Sequence, residues 1–475
     1  MRNDATGLSQ DMLMPTSRAN LTTVIAGALA GGALLWSLLP QFFSFDSYAY
    51  IALGMHPQGH ALRQPGFGWM LLALARFANL QPWLNLNDLL LGWHSLFFGL
   101  MALWVKQHWR TTSTTGRIVL VVSTPLVIVA TMFVANGFWA EVTAWTFVLL
   151  LCLVLSHERG NRGARLWVML FGLVLLATMA RRQLMILPLA LLATMLTANL
   201  SKPARRSGLI GVVLLGTAVL LVHQQKDQYF VRNFPEDPYG RAFFPDLVKK
   251  SLQCRLKCDL AMYETDCSTE QGRALVERTQ CHELVQFMTS LGPPRVEQPS
   301  VLAAIRYAGA EKTLRWLAQA PLDYLGEFYP HLEYQAFGFD AGHSLLTEHA
   351  DTRAVYAQAL DPGPLTPSAT MRKLIDLNRW LYEHAAFHVM TALSVFLALF
   401  ALLERSGRNI TSVFLAWFIV GTYLTFAYFQ PQTPLRYLLQ VILPGWWLLP
   451  RVFERRHART ARASNNAGEG LRPAL

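Results

Sequence analysis

The sequence predicts an all-α polytopic membrane protein with about ten transmembrane helices and a mostly helical extracytoplasmic domain. Hydrophobic residues make up 53% of the 475 residues and charged residues only 15%, whereas a soluble protein carries about 25% charged residues. Apolar runs recur from end to end, many of them near the 20 or so residues that cross the hydrocarbon core. The net charge of +11 is concentrated beside these runs, as topology signals are, so it does not indicate a nucleic-acid partner.

Apolar runs of near-spanning length define the predicted membrane segments. The fifth and sixth are short and almost continuous. A broken apolar stretch at 65–77, PGFGWMLLALARF, is too short to span, and we expect it to lie as a helix at the membrane interface. The first segment follows a polar N-terminus and is expected to act as its own targeting signal. The ten segments lie near residues 20–40, 87–107, 118–136, 141–157, 165–181, 184–200, 208–224, 385–404, 410–429 and 436–451.

Lysine and arginine residues predict the orientation. Basic residues cluster in alternate connections, such as Lys106 to Arg117 and Lys202 to Arg206, which the positive-inside rule assigns to the cytoplasm. Both termini are then cytoplasmic, and the basic C-terminal tail is expected to touch anionic lipid. The predicted parts are a cytoplasmic N-terminus at 1–19, a membrane module at 20–224 whose first outer loop is 41–86, an extracytoplasmic domain at 225–384, C-terminal helices at 385–451 and the tail at 452–475.

The cysteines agree with this orientation. Cys152 lies in an apolar segment and is expected only to pack there. The other four all lie in the predicted extracytoplasmic domain, where oxidising conditions favour two disulfides, with three pairings open. A zinc site is the alternative because His282 adjoins the last of them, but the spacing lacks the paired C-x2-C of structural zinc sites, so no metal is predicted. The four are Cys254, Cys258, Cys267 and Cys281.

Arginines on the predicted outer side oppose the positive-inside rule and need a compensating interaction. These are Arg63, Arg181, Arg182 and Arg436. A guanidinium stays charged and matches phosphate with two parallel hydrogen bonds, so a lipid-linked phosphate at the outer leaflet would satisfy all four. The alternatives are that Arg63 extends to lipid headgroups and that Arg181 and Arg182 end a helix.

Acidic and aromatic residues accompany these arginines. Asp46 follows the first segment in FDSYAYIAL, where it suits either a general base or a helix N-cap. Glu141 begins a later segment and is either a site-lining acid or an N-cap. Tyr50 suits a sugar-stacking surface or core packing, and His60 is a neighbour of a bound phosphate or a polar loop residue.

Four stretches together resemble the polyprenyl-phosphate-sugar-dependent glycosyltransferases of the GT-C class, which include protein O-mannosyltransferases and lipid A aminoarabinose transferases. The resemblance covers roughly 20–200 and 385–450 but not 225–384. In the first stretch an Asp precedes a Tyr-containing helix and an Arg-x-Pro-like turn. The stretches are FDSYAYIALG…LRQPGFGWMLLALARF, ANGFWAEVTAWTFVLLLCLVL at 135–155, LLATMARRQLMILPLALL at 175–192 and TPLRYLLQVILPGWW at 433–447.

The resemblance implies a GT-C-like fold in a bacterial inner membrane, with the 225–384 domain in the periplasm. It implies Asp46 as the catalytic base, the four outer arginines as ligands of the donor phosphate, and Glu141 as a structural or site-lining acid. From their positions in the first outer loop we also expect His60 and Tyr50 to line the site. Ser47 follows Asp46 where the class has a second acid, so neither a metal nor a cofactor is expected. The expected partners are a polyprenyl-phosphate-linked sugar, membrane lipid, and a lipid, glycan or protein acceptor. A polysaccharide polymerase or ligase and a transporter of lipid-linked sugar are the alternatives.

Overall fold

A computed structural model describes residues 18–39, 50–51, 54–55, 65–81, 83–137, 140–157, 164–233, 355–356, 368–404, 409–429 and 435–453. Helices account for nearly all of these residues, and no β-sheet is present among them. The helices are α1 Arg18–Trp36, α2 Pro65–Asn79, α3 Leu86–Trp109, α4 Thr114–Ala135, α5 Ala140–His157, α6 Ala164–Ala180, α7 Ile186–Thr197, α8 Lys202–Asn233, α9 Ala369–Glu383, α10 Ala386–Leu403, α11 Ile410–Phe429 and α12 Leu435–Val452, with a 3₁₀ turn at Arg182–Met185 between α6 and α7.

Each of the ten predicted apolar segments coincides with one of these helices, and α2 coincides with the predicted interfacial stretch. Five helices are long and apolar enough to cross a membrane. These are Arg18–Trp36, Leu86–Trp109, Thr114–Ala135, Ala386–Leu403 and, within α8, Lys202–Lys226. By contrast α7 has 12 residues, about 18 Å of helix, which is too short to cross a hydrocarbon core of about 30 Å by itself.

The outer surface of the helix bundle is apolar. Val122, Leu214, Val168 and Phe396 are each more than 60% exposed, and they belong to four different helices. A soluble protein rarely exposes apolar surface on this scale, whereas a bilayer solvates it. Together with the apolar helices, this surface identifies a membrane protein whose described part is all-α.

Helices α1 and α3 pack closely because glycines line their contact. A Cβ atom added at Gly27 would lie 3.0 Å from the Cα of Gly99, and one added at Gly31 would meet the ring of Phe98. Small residues at such contacts let two helix backbones approach within van der Waals distance of each other. The contact fixes the first helix against the rest of the bundle.

The remaining helices form one continuous core. Helix α5 packs on α3 and α6, α11 packs on α7, and α12 packs on α4, α10 and α11. Trp104 of α3 donates its indole N–H to the carbonyl of Trp447 in α12 at 3.1 Å. The C-terminal helices α10–α12 are therefore integrated with the N-terminal helices.

Side-chain contacts distinguish the two ends of the bundle. At one end Arg451 of α12 donates to the Ser156 hydroxyl of α5 at 2.9 Å, and Ser156 donates to Thr411 of α11 at 3.2 Å. We name this the Arg451 end. The opposite end contains the start of α5 and the end of α6, where Arg181 lies, and we name it the Arg181 end. Helix α2 packs against the start of α3 and the end of α6, so it belongs to the Arg181 end.

Helix α9 lies within the stretch predicted as the extracytoplasmic domain. Its N-cap Ser368 accepts a hydrogen bond from the Met371 N–H at 3.1 Å. Asn378 donates to the Val129 carbonyl of α4 at 3.4 Å. The last residues before α10 therefore pack on the bundle. Of the predicted extracytoplasmic domain at 225–384, the structure describes residues 225–233, 355–356 and 368–384.

Candidate functional site

Three of the predicted site residues meet at the Arg181 end. The Arg181 Nη2 atom lies 2.9 Å from Glu141 Oε1, and Arg181 Nη1 donates to the Tyr50 hydroxyl at 3.1 Å. Tyr50 is 2% exposed, Glu141 0% and Arg181 5%. We name these three residues the Arg181 cluster. It joins the first loop, the start of α5 and the end of α6, which are distant along the chain.

Local helix geometry places the two charges opposite each other. Glu141 lies in the first turn of α5, where the helix dipole stabilises a negative charge. Arg181 directly follows the last residue of α6, and its N–H donates to the Ala177 carbonyl at 2.9 Å. A cation is favourable at a helix C-terminus, so each residue suits its own helix end as well as its partner. Arg181 therefore does end a helix, which was one of the two roles considered for it, and it also pairs with Glu141.

Tyr50 is held by packing as well as by Arg181. Its ring meets Phe67 of α2 edge to face, with centroids 5.0 Å apart and planes at 89°. A Cβ atom added at Gly68 would lie 2.5 Å from the Tyr50 carbonyl oxygen, so glycine permits this close approach. The surrounding buried residues form what we name the α2 core: Tyr50, Ile51, Phe67, Leu71, Ala75, Ala78, Leu86, Leu90, Ala140 and Tyr356.

Because it is buried, the Arg181 cluster links the first loop, α5 and α6 rigidly. Removing two charges from water is costly, and their mutual attraction offsets that cost only when the geometry is good. A hydrogen bond to a charged group contributes about 1.5–3 kcal/mol, so the Tyr50 hydroxyl adds to the pairing with Glu141. Movement of any one of the three chain sections would break a buried polar contact.

The other predicted site residues are described less completely. Arg182 lies in the 3₁₀ turn directly after Arg181, and Arg436 is the second residue of α12, but their side chains lie outside the described part. Asp46, Arg63 and His60 lie outside the described residues, as do the four cysteines predicted to form disulfides, Cys254, Cys258, Cys267 and Cys281. Cys152 is buried within α5, as the sequence predicts.

Two buried polar residues, one in α3 and one in α12, were missed by the sequence analysis. His94 of α3 lies with Nδ1 2.6 Å from the Ala135 carbonyl; because a carbonyl only accepts, Nδ1 is the donor in this contact. Gln440 of α12 is 2% exposed. Within the described residues neither His94 Nε2 nor the Gln440 amide has a hydrogen-bond partner. The sequence feature that could have identified both is a polar residue inside an otherwise apolar helix.

The described part of the chain contains no group of three His, Cys, Asp or Glu side chains arranged to hold a metal ion. No family model, no curated protein and no solved structure matches this chain. The functional proposal therefore depends on the Arg181 cluster and on the local sequence resemblance.

Proposed function

We propose that the protein is a GT-C-like membrane glycosyltransferase that moves a sugar from a polyprenyl-phosphate donor to an extracytoplasmic lipid, polysaccharide or protein. The observation that supports this most is the contact of Arg181 with both Glu141 and Tyr50. The three residues come from three of the stretches that resemble the class, and they meet in one buried cluster. The cluster thus brings together in space three stretches that are distant along the chain, as a common site would require.

The proposed topology has ten membrane segments, with both termini in the cytoplasm and residues 225–384 in the periplasm of a bacterium. In support, α5 runs from Glu141 at the Arg181 end to Ser156 at the Arg451 end, and α6 returns toward Arg181. The Arg181 end is then the outer end. Helix α7 follows a 3₁₀ turn at Arg182–Met185, so this segment enters the membrane as a 3₁₀ turn continued by a short helix.

The proposed reaction replaces one bond at the anomeric carbon. An acceptor hydroxyl or amine attacks that carbon, and Asp46 takes the proton released from the attacking group. The bond between the anomeric carbon and the phosphate oxygen breaks, and the polyprenyl phosphate leaves with the bonding electron pair. The charge that develops on this phosphate is stabilised by nearby guanidinium groups, for which we propose Arg63, Arg181, Arg182 and Arg436. The mechanism invokes no cofactor and no metal.

The Arg181 cluster has two roles in this proposal. Glu141 balances most of the charge of Arg181, so Arg181 adds a weaker attraction for the donor phosphate and fixes the position of the adjacent Arg182. Glu141 holds that guanidinium in place, and Tyr50, four residues after Asp46, links it to the catalytic loop. A polar interaction held at low dielectric is stronger than in water and is already oriented before the reaction begins.

Mass spectrometry of lipids and glycans from cells with and without the protein tests the proposed function. A transferase predicts that one acceptor lacks one sugar in cells without the protein, while the polyprenyl-phosphate-linked sugar accumulates. A polysaccharide polymerase or ligase predicts shortened or detached polymers instead. A transporter predicts that every acceptor supplied by the same lipid-linked sugar loses it. Either of the last two outcomes would overturn the transferase assignment.

A further inference from the structure

The stretch between α8 and α9 contacts the α2 core through Tyr356. This stretch, residues 234–367, is named the connecting segment, and within it the structure describes Val355 and Tyr356. Tyr356 is 0% exposed and packs in the same buried cluster as Tyr50 and Phe67. A residue from the connecting segment therefore shares a core with a member of the Arg181 cluster.

A second contact fixes the same point of the connecting segment. The Asn79 side chain donates to the Val355 carbonyl at 3.0 Å. Asn79 is the last residue of α2, and Arg76 lies one turn earlier on the same face. The backbone of residue 355 and the side chain of residue 356 thus both attach to the last turn of α2.

The Tyr356 contact is apolar in character. Its hydroxyl is buried and has no hydrogen-bond partner within the described residues. Burial raises the pKa of the phenol above its ordinary value, and the nearby positive charge of Arg76 opposes this only in part. The phenol is therefore neutral at physiological pH, and the contact depends on the ring.

We propose that Tyr356 is a positioning residue that docks the connecting segment onto α2 and so holds it in a fixed relation to the Arg181 cluster. The last turn of α2 is the docking surface, and the partner is this chain's own connecting segment. The functional consequence rests on the proposed function: with residues 355 and 356 fixed on α2 next to Tyr50, we propose that this point of the chain helps to position the acceptor. Loss of docking then weakens acceptor binding more than the chemical step.

Cross-linking of the full-length protein in membranes tests the docking itself. Asn79→Cys and Val355→Cys are combined and oxidised, and the linked peptide is quantified by mass spectrometry. In this pair the cysteine replaces the Asn79 amide, so the remaining attachment depends on Tyr356. We expect Tyr356→Ala to slow cross-linking about tenfold or more. Tyr356→Phe should leave it within about twofold, because the removed hydroxyl makes no hydrogen bond to any residue that the structure describes.

A matched pair at the Arg451 end controls for folding. Ser156→Cys with Thr411→Cys joins two hydroxyl positions 3.2 Å apart and should cross-link equally in all three Tyr356 backgrounds. Undiminished cross-linking between 79 and 355 in Tyr356→Ala would overturn the proposal, and so would equal slowing of both pairs.

Steady-state kinetics test whether docking affects acceptor binding, independently of the cross-linking test of docking itself. Tyr356→Ala is expected to raise the acceptor KM with a smaller change in kcat, whereas Tyr356→Phe retains both. Asp46→Asn should abolish transfer without changing the cross-link between 79 and 355. Normal transfer by Asp46→Asn together with slow cross-linking of Tyr356→Ala would refute the proposed function and leave the docking intact.

Discussion

Arg181 and Glu141 form a buried ion pair, with 2.9 Å between Nη2 and Oε1, where the end of α6 meets the start of α5. Neither side chain is more than 5% exposed. The pair belongs to the Arg181 end of the bundle, beside the first loop and the connecting segment. Its position makes the stability of the bundle and the geometry of the proposed site depend on the same two residues.

Glu141→Gln should destabilise the protein strongly. The substitution leaves the buried guanidinium without this carboxylate, and breaking a buried pair costs about 3–5 kcal/mol. Adding Arg181→Met should recover part of the loss, because the two effects are coupled and not additive. Denaturant unfolding of the purified protein measures both changes.

An exposed ion pair provides the control for this measurement. Arg379 and Asp376 are 41% and 73% exposed and lie 3.8 Å apart. Asp376→Asn should change the unfolding free energy by no more than about 0.5 kcal/mol. If Glu141→Gln has as small an effect as Asp376→Asn, the buried pair does not stabilise the bundle.

Tyr50→Phe should weaken the Arg181 cluster and spare the packing around it. The lost hydroxyl accepts a hydrogen bond from Arg181 at 3.1 Å, and a hydrogen bond to a charged group is worth about 1.5–3 kcal/mol. Tyr356→Phe is the matched control, since it removes a hydroxyl from the same α2 core that makes no hydrogen bond within the described residues. Equal stabilities of the two variants would contradict the role given to Tyr50.

The contact between α1 and α3 predicts opposite effects at two glycines of α3. A Cβ atom at Gly99 would collide with the Val24 carbonyl, whereas one at Gly92 meets nothing within 4 Å. Gly99→Ala should cost about 1–3 kcal/mol through overpacking. Gly92→Ala should stabilise by about 0.5–1 kcal/mol through a better helix propensity. Unfolding of the two variants measures the difference, and a harmless Gly99→Ala would disprove the close packing.

Docking of Tyr356 should weaken at high pH. Because the docked phenol has a raised pKa, the docked state favours the neutral form. The neutral phenol contributes fully to docking below the pKa of the undocked tyrosine, which is about 10. That contribution is lost progressively as the pH rises above this value. Cross-linking between 79 and 355 with a pH-independent reagent should therefore decline above about pH 10.

The same titration in Tyr356→Phe identifies the group responsible. Arg76 and Tyr50 also lie around the ring, and they remain in this variant. A decline in Tyr356→Phe as steep as in the parent would assign the pH dependence to one of those groups.

Sequence periodicity and hydropathy predicted where the helices lie more accurately than the residues at which they begin and end. The predicted segment 410–429 coincides with α11 Ile410–Phe429. Helix α8 Lys202–Asn233 extends well beyond the predicted 208–224. Lysine, arginine and alanine continue a helix at little cost, so a helix extends past the apolar stretch that reveals it. The amphipathic α9 was not predicted as a separate helix, because residues 369–383 were interpreted only as part of the extracytoplasmic domain.

Charge within apolar surroundings made Glu141 and Arg181 candidate site residues, but it did not predict that they pair with each other. A charged residue must find compensation, and the sequence supplies several candidates of opposite sign. Only the packing of α5 beside α6 makes Glu141 the partner of Arg181. Tyr356 carried no signal at all, because a single aromatic residue in a long connecting segment has no periodic context.

The most direct test of the proposed transferase is Asp46→Asn, expressed in cells that lack the native protein. Lipids and glycans are compared by mass spectrometry with those of cells expressing the native sequence, at equal protein levels in the membrane. The proposal predicts a normal amount of membrane protein, an unmodified acceptor and accumulation of the lipid-linked sugar. Full modification of the acceptor by Asp46→Asn would contradict it.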